Sequence, residues 1–413
     1  MKRVLVIGGG AAGLIAAGTA AKNGARVTVL ERNPRPARKV MITGKGRCNV
    51  TNASDIPTLI ANVPTNGRFL YSAFHAFGPD DVRGLLAENG VETKVERGNR
   101  VFPVTDKAVH VVDALVAYAK KHGVTFECGR ATTLCVENGR CVGVETEDGK
   151  RYEADAVAVC TGGISYPLTG STGDGYVLAE QAGHTIVSPR PSLVPLCIRE
   201  YDCTTMQGLS LKNVTLRLVC AENGKVLFEE MGEMMFTHFG VTGPLVLSAS
   251  AHIRDMHPGR YQIVIDLKPA LSEKQVSDRL LKEIAEHKNA AVSSMLSTLV
   301  PRSMIPVVAA RASIPLSASC NAVTKEQRQR LQNVLKNFML TVEDFRPVEE
   351  AIVTAGGVNV KEIEAKTMKS KLVDGLYFAG EVLDLDAYTG GFNLQIAFST
   401  GFAAGTAMAE DDL

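Results

Sequence analysis

Val4-Leu5-Val6-Ile7-Gly8-Gly9-Gly10-Ala11-Ala12-Gly13-Leu14 is the stretch that decides how the rest of the chain is read. Its first four residues are apolar without alternation, as a strand buried on both faces of a parallel sheet requires. The glycines break that run. Residues 14–23, rich in alanine and stopped by Gly24, read as a helix. Val27-Thr28-Val29-Leu30-Glu31 comes next as a second strand ending in an acid. Gly8-x-Gly10-x-x-Gly13 alone is a weak pattern. Here it lies between a strand and a helix, and Glu31 comes 18 residues (31 − 13) after the last glycine, which makes it a dinucleotide-binding fingerprint. Gly8 allows the tight turn, and Gly10 lets a pyrophosphate approach the backbone. Gly13 lets the helix pack closely on the strand, and Glu31 can accept hydrogen bonds from a ribose diol.

Outward from this unit the α/β texture continues. Residues 108–122 have helical apolar spacing. Short β runs at 132–136, 141–146 and 151–154 are joined by Asn138-Gly139 and Asp148-Gly149, so they predict an antiparallel meander. Residues 156–160 form another buried strand, ending at Thr161-Gly162-Gly163. Pro189, Pro191 and Pro195 mark a change of texture. Alternating strands come after them at 214–220, 226–229 and 261–267, then helical stretches at 273–287, 291–299 and 325–337. Strand–turn–helix texture returns with Leu376 to Glu381 and a helix over 390–408. The fold expected is α/β: a Rossmann-type domain split into 1–189 and 353–413, with an inserted β-barrel-like and helical unit over 190–352.

The 413 residues carry 45 Lys plus Arg and 44 Asp plus Glu, a formal charge of +1. That balance argues against nucleic acid or an anionic membrane surface as the main partner. No apolar run is long enough to span a bilayer. The apolar run after Met1-Lys2-Arg3 breaks into glycines after four residues, too short for a signal peptide. Nine cysteines without a C-x-x-C pair predict a cytoplasmic protein, and neither they nor the eight histidines have metal-ligand spacing, so no metal is expected.

Further strings carry a resemblance. Phe378-Ala379-Gly380-Glu381 resembles the second FAD motif of the two-dinucleotide-binding-domain flavoproteins, where the acid is usually Asp, and the meander leading into Val157–Gly163 resembles the same group. Gly390-Gly391-Phe392-Asn393-Leu394-Gln395 opens a helix whose N-terminal N–H groups, aimed at the flavin N1/O2 edge, would favour electron uptake. Gly44-Lys45-Gly46-Arg47-Cys48-Asn49, Phe236-Thr237-His238-Phe239-Gly240 and Val373-Asp374-Gly375-Leu376-Tyr377-Phe378 complete the pattern. Over essentially its whole length the chain resembles the BaiN-type family of FAD-dependent oxidoreductases (aminoacetone oxidase-like flavoproteins). The residues 169–175 also resemble fumarate reductase flavoproteins, whose corresponding aspartate lies at the FAD. The resemblance implies noncovalent FAD held by Gly8, Gly10, Ala11, Ala12, Gly13, Glu31, Arg32, Lys39, Gly46, Arg47, Asn49, Ala131, Thr161, Gly162, Asp174, Gly380, Glu381, Gly391, Phe392, Asn393 and Leu394.

Arg47, His238 and Tyr388 are the candidate catalytic residues: a cation for an anionic group, an acid–base imidazole, and a hydroxyl donor to a substrate carbonyl. Each can equally be a solvated or packed structural residue. Cys48 has no partner cysteine nearby in sequence and reads as a packing residue. The expected reaction moves a hydride between flavin N5 and a small-molecule substrate in a pocket between the flavin face and the insert. The resemblance implies reduction of an activated C=C bond, as in steroid-like enones, or oxidation of a small amine such as aminoacetone. No second G-x-G-x-x-G lies between a strand and a helix, so NAD(P)H would dock only transiently. A flavin-dependent RNA-modifying enzyme shares the FAD motifs. Near-neutral charge and the lack of a basic tail weigh against it. A noncatalytic flavin redox sensor is the other reading, and the oligomeric state is not encoded in any feature of the sequence.

Overall fold

The computed structural model describes residues 1–410. At its centre is a five-stranded parallel sheet of β1 (Arg3–Ile7), β2 (Arg26–Glu31), β3 (Thr125–Cys128), β4 (Ala156–Val159) and β5 (Leu376–Phe378). The strand order is β5-β4-β1-β2-β3. Val6 lies opposite Val29 on one side and Ala158 on the other, and Val159 pairs with Phe378, brought from the far end of the chain. This is one half of a Rossmann sheet, with the glycine turn at the carboxyl end of its central strand. All four residues of β4 and of Val4–Ile7 are buried, which is why these strands read as unbroken apolar runs.

Three helices support the glycine turn and its surroundings: α1 (Ala11–Lys22), α2 (Ala108–Lys121) and α3 (Phe392–Glu410). Small residues let them approach. A Cβ at Gly401 or Gly405 of α3 would collide with the carbonyl oxygen of Ala12 or Ala16 in α1, and a Cβ at Gly18 with the Tyr118 ring of α2. The alanine- and glycine-rich sequence of α1 and α3 is therefore a packing requirement, not a sign of flexibility.

The chain divides into two compact units, Met1–Ser192 with the described residues from Val348 on, and Leu193–Pro347. The sequence texture places the insert at 190–352, whereas in the structure residues 190–192 and 348–352 lie with the first unit. The second unit holds a closed six-stranded barrel in the order Leu196–Ile198, Gly240–Thr242, Val226–Phe236, Ser210–Cys220, Tyr261–Asp266, Phe338–Phe345. Leu216, Leu218, Ile263, Ile265, Phe338 and Leu340 fill its core. Helices Glu273–Glu286 and Lys325–Lys336 belong to the same core, each opened by a capping box, Ser272 with Gln275 and Thr324 with Gln327. The strand Val226–Phe236 runs well past the expected 229, because Phe228, Met234 and Phe236 point inward while Glu229, Glu230, Met231 and Glu233 stay exposed. The meander forms as Ala131–Glu137, Arg140–Thr146 and Arg151–Glu153. No helix among the described residues is long and apolar enough to cross a membrane.

His184 anchors the far side of β5. Its side chain is fully buried, bonded to Glu362 at 3.2 Å and Ser370 at 2.8 Å, and its ring stands edge-on to Phe378 with the ring centres 4.9 Å apart. Burial holds its pKa below the usual histidine value against the opposing pull of Glu362. In the unfolded chain the imidazole takes up its proton first as pH falls through about 6.5, so the unfolded state gains protons and stability is lost below that pH. Denaturant unfolding at pH 7.5 and 5.5 should show this drop, and His184→Gln should flatten it. An unchanged slope in the variant would assign the pH effect elsewhere.

Candidate functional site

The glycine turn is built by close backbone approach. Gly8 has φ +97°, and a Cβ there would lie 2.6 Å from the Cys160 carbonyl oxygen. A Cβ at Gly13 would collide with the Gly8 carbonyl, so α1 starts hard against the end of β1. No side chain caps Gly10 and no acid occupies the first turn of α1. That N-terminus offers backbone N–H groups and partial positive charge to an anion. At the end of β2, Glu31 accepts from the Gly9 N–H through one oxygen and from the N–H and Nδ2 of Asn33 through the other, all at 2.8 Å.

Around this turn opens a cavity, and every residue lining it lies in the first unit. Thr161 lines it, while its hydroxyl is buried against Gly175, where an added Cβ would collide with it. An uncapped helix N-terminus at a glycine turn and a carboxylate at the ribose position, both in the lining of one cavity, fit FAD.

Fifteen of the residues expected at the cofactor line the cavity: Gly8, Gly10, Ala11, Ala12, Glu31, Arg32, Lys39, Ala131, Thr161, Gly162, Asp174, Gly380, Glu381, Asn393 and Leu394. Gly13 lies behind the turn. Gly46, Arg47, Asn49, Gly391 and Phe392 are absent from the lining. Gly391 and its neighbours have another task. Gly391 has φ +99°, and a Cβ there would collide with the Thr51 carbonyl oxygen. The Asn52 amide donates to the Gly390 carbonyl at 3.0 Å, and Thr51 bonds the Gln395 side chain. The string around Asn49 thus locks the start of α3 in place. Asn393 braces the loop before α3, accepting from the Ala387 N–H at 2.9 Å and donating to its carbonyl at 2.7 Å.

The basic stretch from Arg32 to Arg47 is largely spent on acids remote in sequence. Arg32 donates to Asp174 at 3.0 Å and Arg35 to Asp113 at 3.2 Å, and Lys39 pairs with Glu381 at 2.6 Å. Arg47, expected at the flavin, donates to Asp106 at 2.9 and 2.6 Å and to Glu96 at 2.5 Å, with its plane 4.1 Å over Phe102. Its fork is filled by carboxylates, which corrects the expectation of an anion ligand at the cofactor. Asp174, which lines the cavity, likewise meets cations. Burial pushes its carboxyl up, but the two-pronged bond from Arg130 at 3.0 and 2.9 Å, with Thr172 and Arg32, holds it below the usual range. Arg130 and Asn33 are polar lining residues that sequence reasoning missed. Their signal was position, next to Ala131 and two residues after Glu31.

His238 lies in the barrel unit, exposed, its ring edge-on to Phe239 at 5.1 Å. Tyr388 is half-buried, its N–H bonded to the Asn62 carbonyl at 3.0 Å, and it is not among the lining residues. Cys48 is fully buried, and burial pushes its thiol up to about 12, so it packs rather than reacts.

Comparison with known proteins agrees with this geometry. The family described as HI0933-like protein Rossmann domain matches residues 2–407. A 3-dehydro-bile acid delta(4,6)-reductase from Clostridium scindens is 31% identical over 99% of this chain and 100% of its own length. A ribosomal RNA dihydrouridine synthase from Haemophilus influenzae is 31% identical over 97% of this chain and 96% of its own. A flavocytochrome c3 fumarate reductase in an open conformation shares the fold, with a TM-score of 0.52 at 17% identity over 99% of this chain and 78% of that one. The chain belongs to the HI0933-like, BaiN-type Rossmann family and is an FAD-dependent oxidoreductase.

Proposed function

We propose that this enzyme reduces a carbon–carbon double bond conjugated to a carbonyl, with a steroid-like enone as the favoured substrate. One observation carries the reading. The two full-length relatives act on very different molecules, yet the names delta(4,6)-reductase and dihydrouridine synthase both describe saturation of a C=C bond beside a carbonyl. FAD, when bound and reduced, would supply hydride from N5 to the β-carbon of such a system, and the α-carbon would take a proton from water. The chain's own residues then have simpler tasks. The N-terminus of α1 holds the pyrophosphate, Glu31 takes the ribose, and the start of α3 offers N–H groups to an electron-rich ring. The RNA relative makes a uracil base the second reading. A formal charge of +1 gives little general attraction to a polyanion, which favours the enone.

The test begins with anaerobically reduced holoprotein. A 3-oxo-Δ4 steroid should reoxidise the flavin and gain two hydrogens by mass spectrometry. Unmodified ribosomal RNA is the parallel arm, and product there alone would move the assignment to uracil. Flavin reduction by small amines with neither acceptor active would sink the reductase reading. Among the described residues one glycine fingerprint lines the cavity, and FAD fills it. NADH or NADPH should therefore reduce the flavin slowly, with weak saturation and a strong dependence on salt. Rapid-mixing absorbance checks this, and fast, tightly saturating, salt-insensitive reduction would reveal a specific nicotinamide site.

A further inference from the structure

We propose that Lys39 is a positioning residue for the cofactor: its ammonium clamps the Glu381 carboxylate in the cavity wall so that one carboxylate oxygen stays available to a hydroxyl of FAD. The inference rests on the FAD assignment and not on the identity of the substrate.

Lys39 and Glu381 stand 342 residues apart in sequence, and both line the cavity. The Lys39 Nζ lies 2.8 Å from Oε1 and 2.6 Å from Oε2 of Glu381, and 2.6 Å from the Ser165 hydroxyl. An ammonium has three N–H donors, and these three contacts take them all. Lys39 therefore has nothing left to offer a phosphate, which separates it from the ligand role its charge suggested.

Donors fall unevenly on the carboxylate. Oε1 also accepts from the Ser165 hydroxyl at 3.0 Å and from the Thr354 N–H at 2.8 Å. It thus has three donors, while Oε2 has Lys39. Each carboxylate oxygen offers about two lone-pair directions, so Oε2 keeps room for another donor. Ser165 is fully buried and is fixed by its own N–H to the Thr354 hydroxyl at 3.1 Å. The clamp is thereby tied to the loop after β4, at Ser165, and to the start of the strand Val353–Val358, at Thr354. A glutamate has a rotatable bond more than an aspartate, and this clamp keeps its oxygens in one place. The Lys39 and Glu381 side chains are 21% and 20% exposed, so the pair is shielded without being sealed from the cavity.

The experiment uses the full-length protein stripped of FAD and retitrated, with affinity read from flavin fluorescence and apoprotein stability from thermal melting. Wild-type binding is the control, and if it fails, the FAD assignment falls and not the clamp. Lys39→Met should weaken FAD by about tenfold or more, as loss of a charged hydrogen-bond partner does. Lys39→Met combined with Glu381→Gln removes the stranded charge, so melting should recover while FAD stays weakly bound. A merely structural ion pair would recover both together, and that result overturns the proposal. Wild-type affinity in Lys39→Met overturns it as well. Should Lys39→Met fail to fold, Ser165→Ala removes the third corner of the clamp without stranding a charge. It should cost a few-fold in affinity with little change in melting, and unchanged affinity would count against the clamp.

Discussion

Glu31→Lys is expected to give a folded protein that no longer retains FAD through purification. In the wild type the carboxylate accepts three hydrogen bonds at 2.8 Å, from the Gly9 N–H and from both nitrogens of Asn33 that face it. These bonds fix the glycine turn and the chain leaving β2 in the shape that meets a ribose. Lysine reverses each term: it accepts nothing, leaves three donors unpaired, and places a cation among them. Hydrogen bonds to a charged group are worth about 1.5–3 kcal/mol each, and about 1.4 kcal/mol is tenfold in affinity, so a loss beyond roughly 100-fold is expected. Glu31→Gln keeps one acceptor oxygen and should lie between. Absorbance near the flavin band of the purified variants, then titration with FAD, gives the ranking. A Glu31→Lys protein with full, wild-type-tight FAD would remove Glu31 from the ribose site.

The place of Glu31 is legible in the sequence, because strand, turn, helix and acid are all local. Val4 to Glu31 needs no distant partner to be recognised. What the sequence hides is charge pairing. Arg32, Lys39 and Arg47 look like phosphate or flavin ligands, since no acid lies among them, yet their partners Asp174, Glu381, Glu96 and Asp106 arrive through the fold. The segment before α2 was illegible for a related reason. Its helices Ile56–Ala61, Tyr71–Ala76 and Pro79–Glu88 are short, and the strands Thr51–Asn52, Thr93–Glu96 and Arg100–Pro103 pair only with one another. Elements of that length carry too few periods for a pattern to register. In the barrel, consecutive acids in Val226–Phe236 masked an alternation that depends on which face is inside.

Gly13→Ala and Gly10→Ala should separate folding from cofactor binding at the same turn. At Gly13 the added methyl would collide with the Gly8 carbonyl and stand 3.3 Å from Val6 Cγ1. Relief requires α1 to lift from β1. Yet β1 is held between β2 and β4, and α3 lies along α1 with no space at Gly401 or Gly405. Forcing a methyl into such packing costs about 1–3 kcal/mol or more, a large part of the roughly 5–15 kcal/mol that keeps a protein folded. Gly13→Ala should therefore melt earlier and lose FAD. At Gly10 the nearest atom to an added Cβ is the Cys160 carbonyl oxygen at 4.0 Å, and φ is −78°, so the protein itself has room for alanine. What the methyl obstructs is the approach of a pyrophosphate to the uncapped N-terminus of α1. Gly10→Ala should keep wild-type melting of the apoprotein and still bind FAD about tenfold or more weakly. Apoprotein melting and FAD titration on the two variants decide it. Wild-type FAD affinity in Gly10→Ala would mean that the phosphates do not sit on the turn that defines this fold.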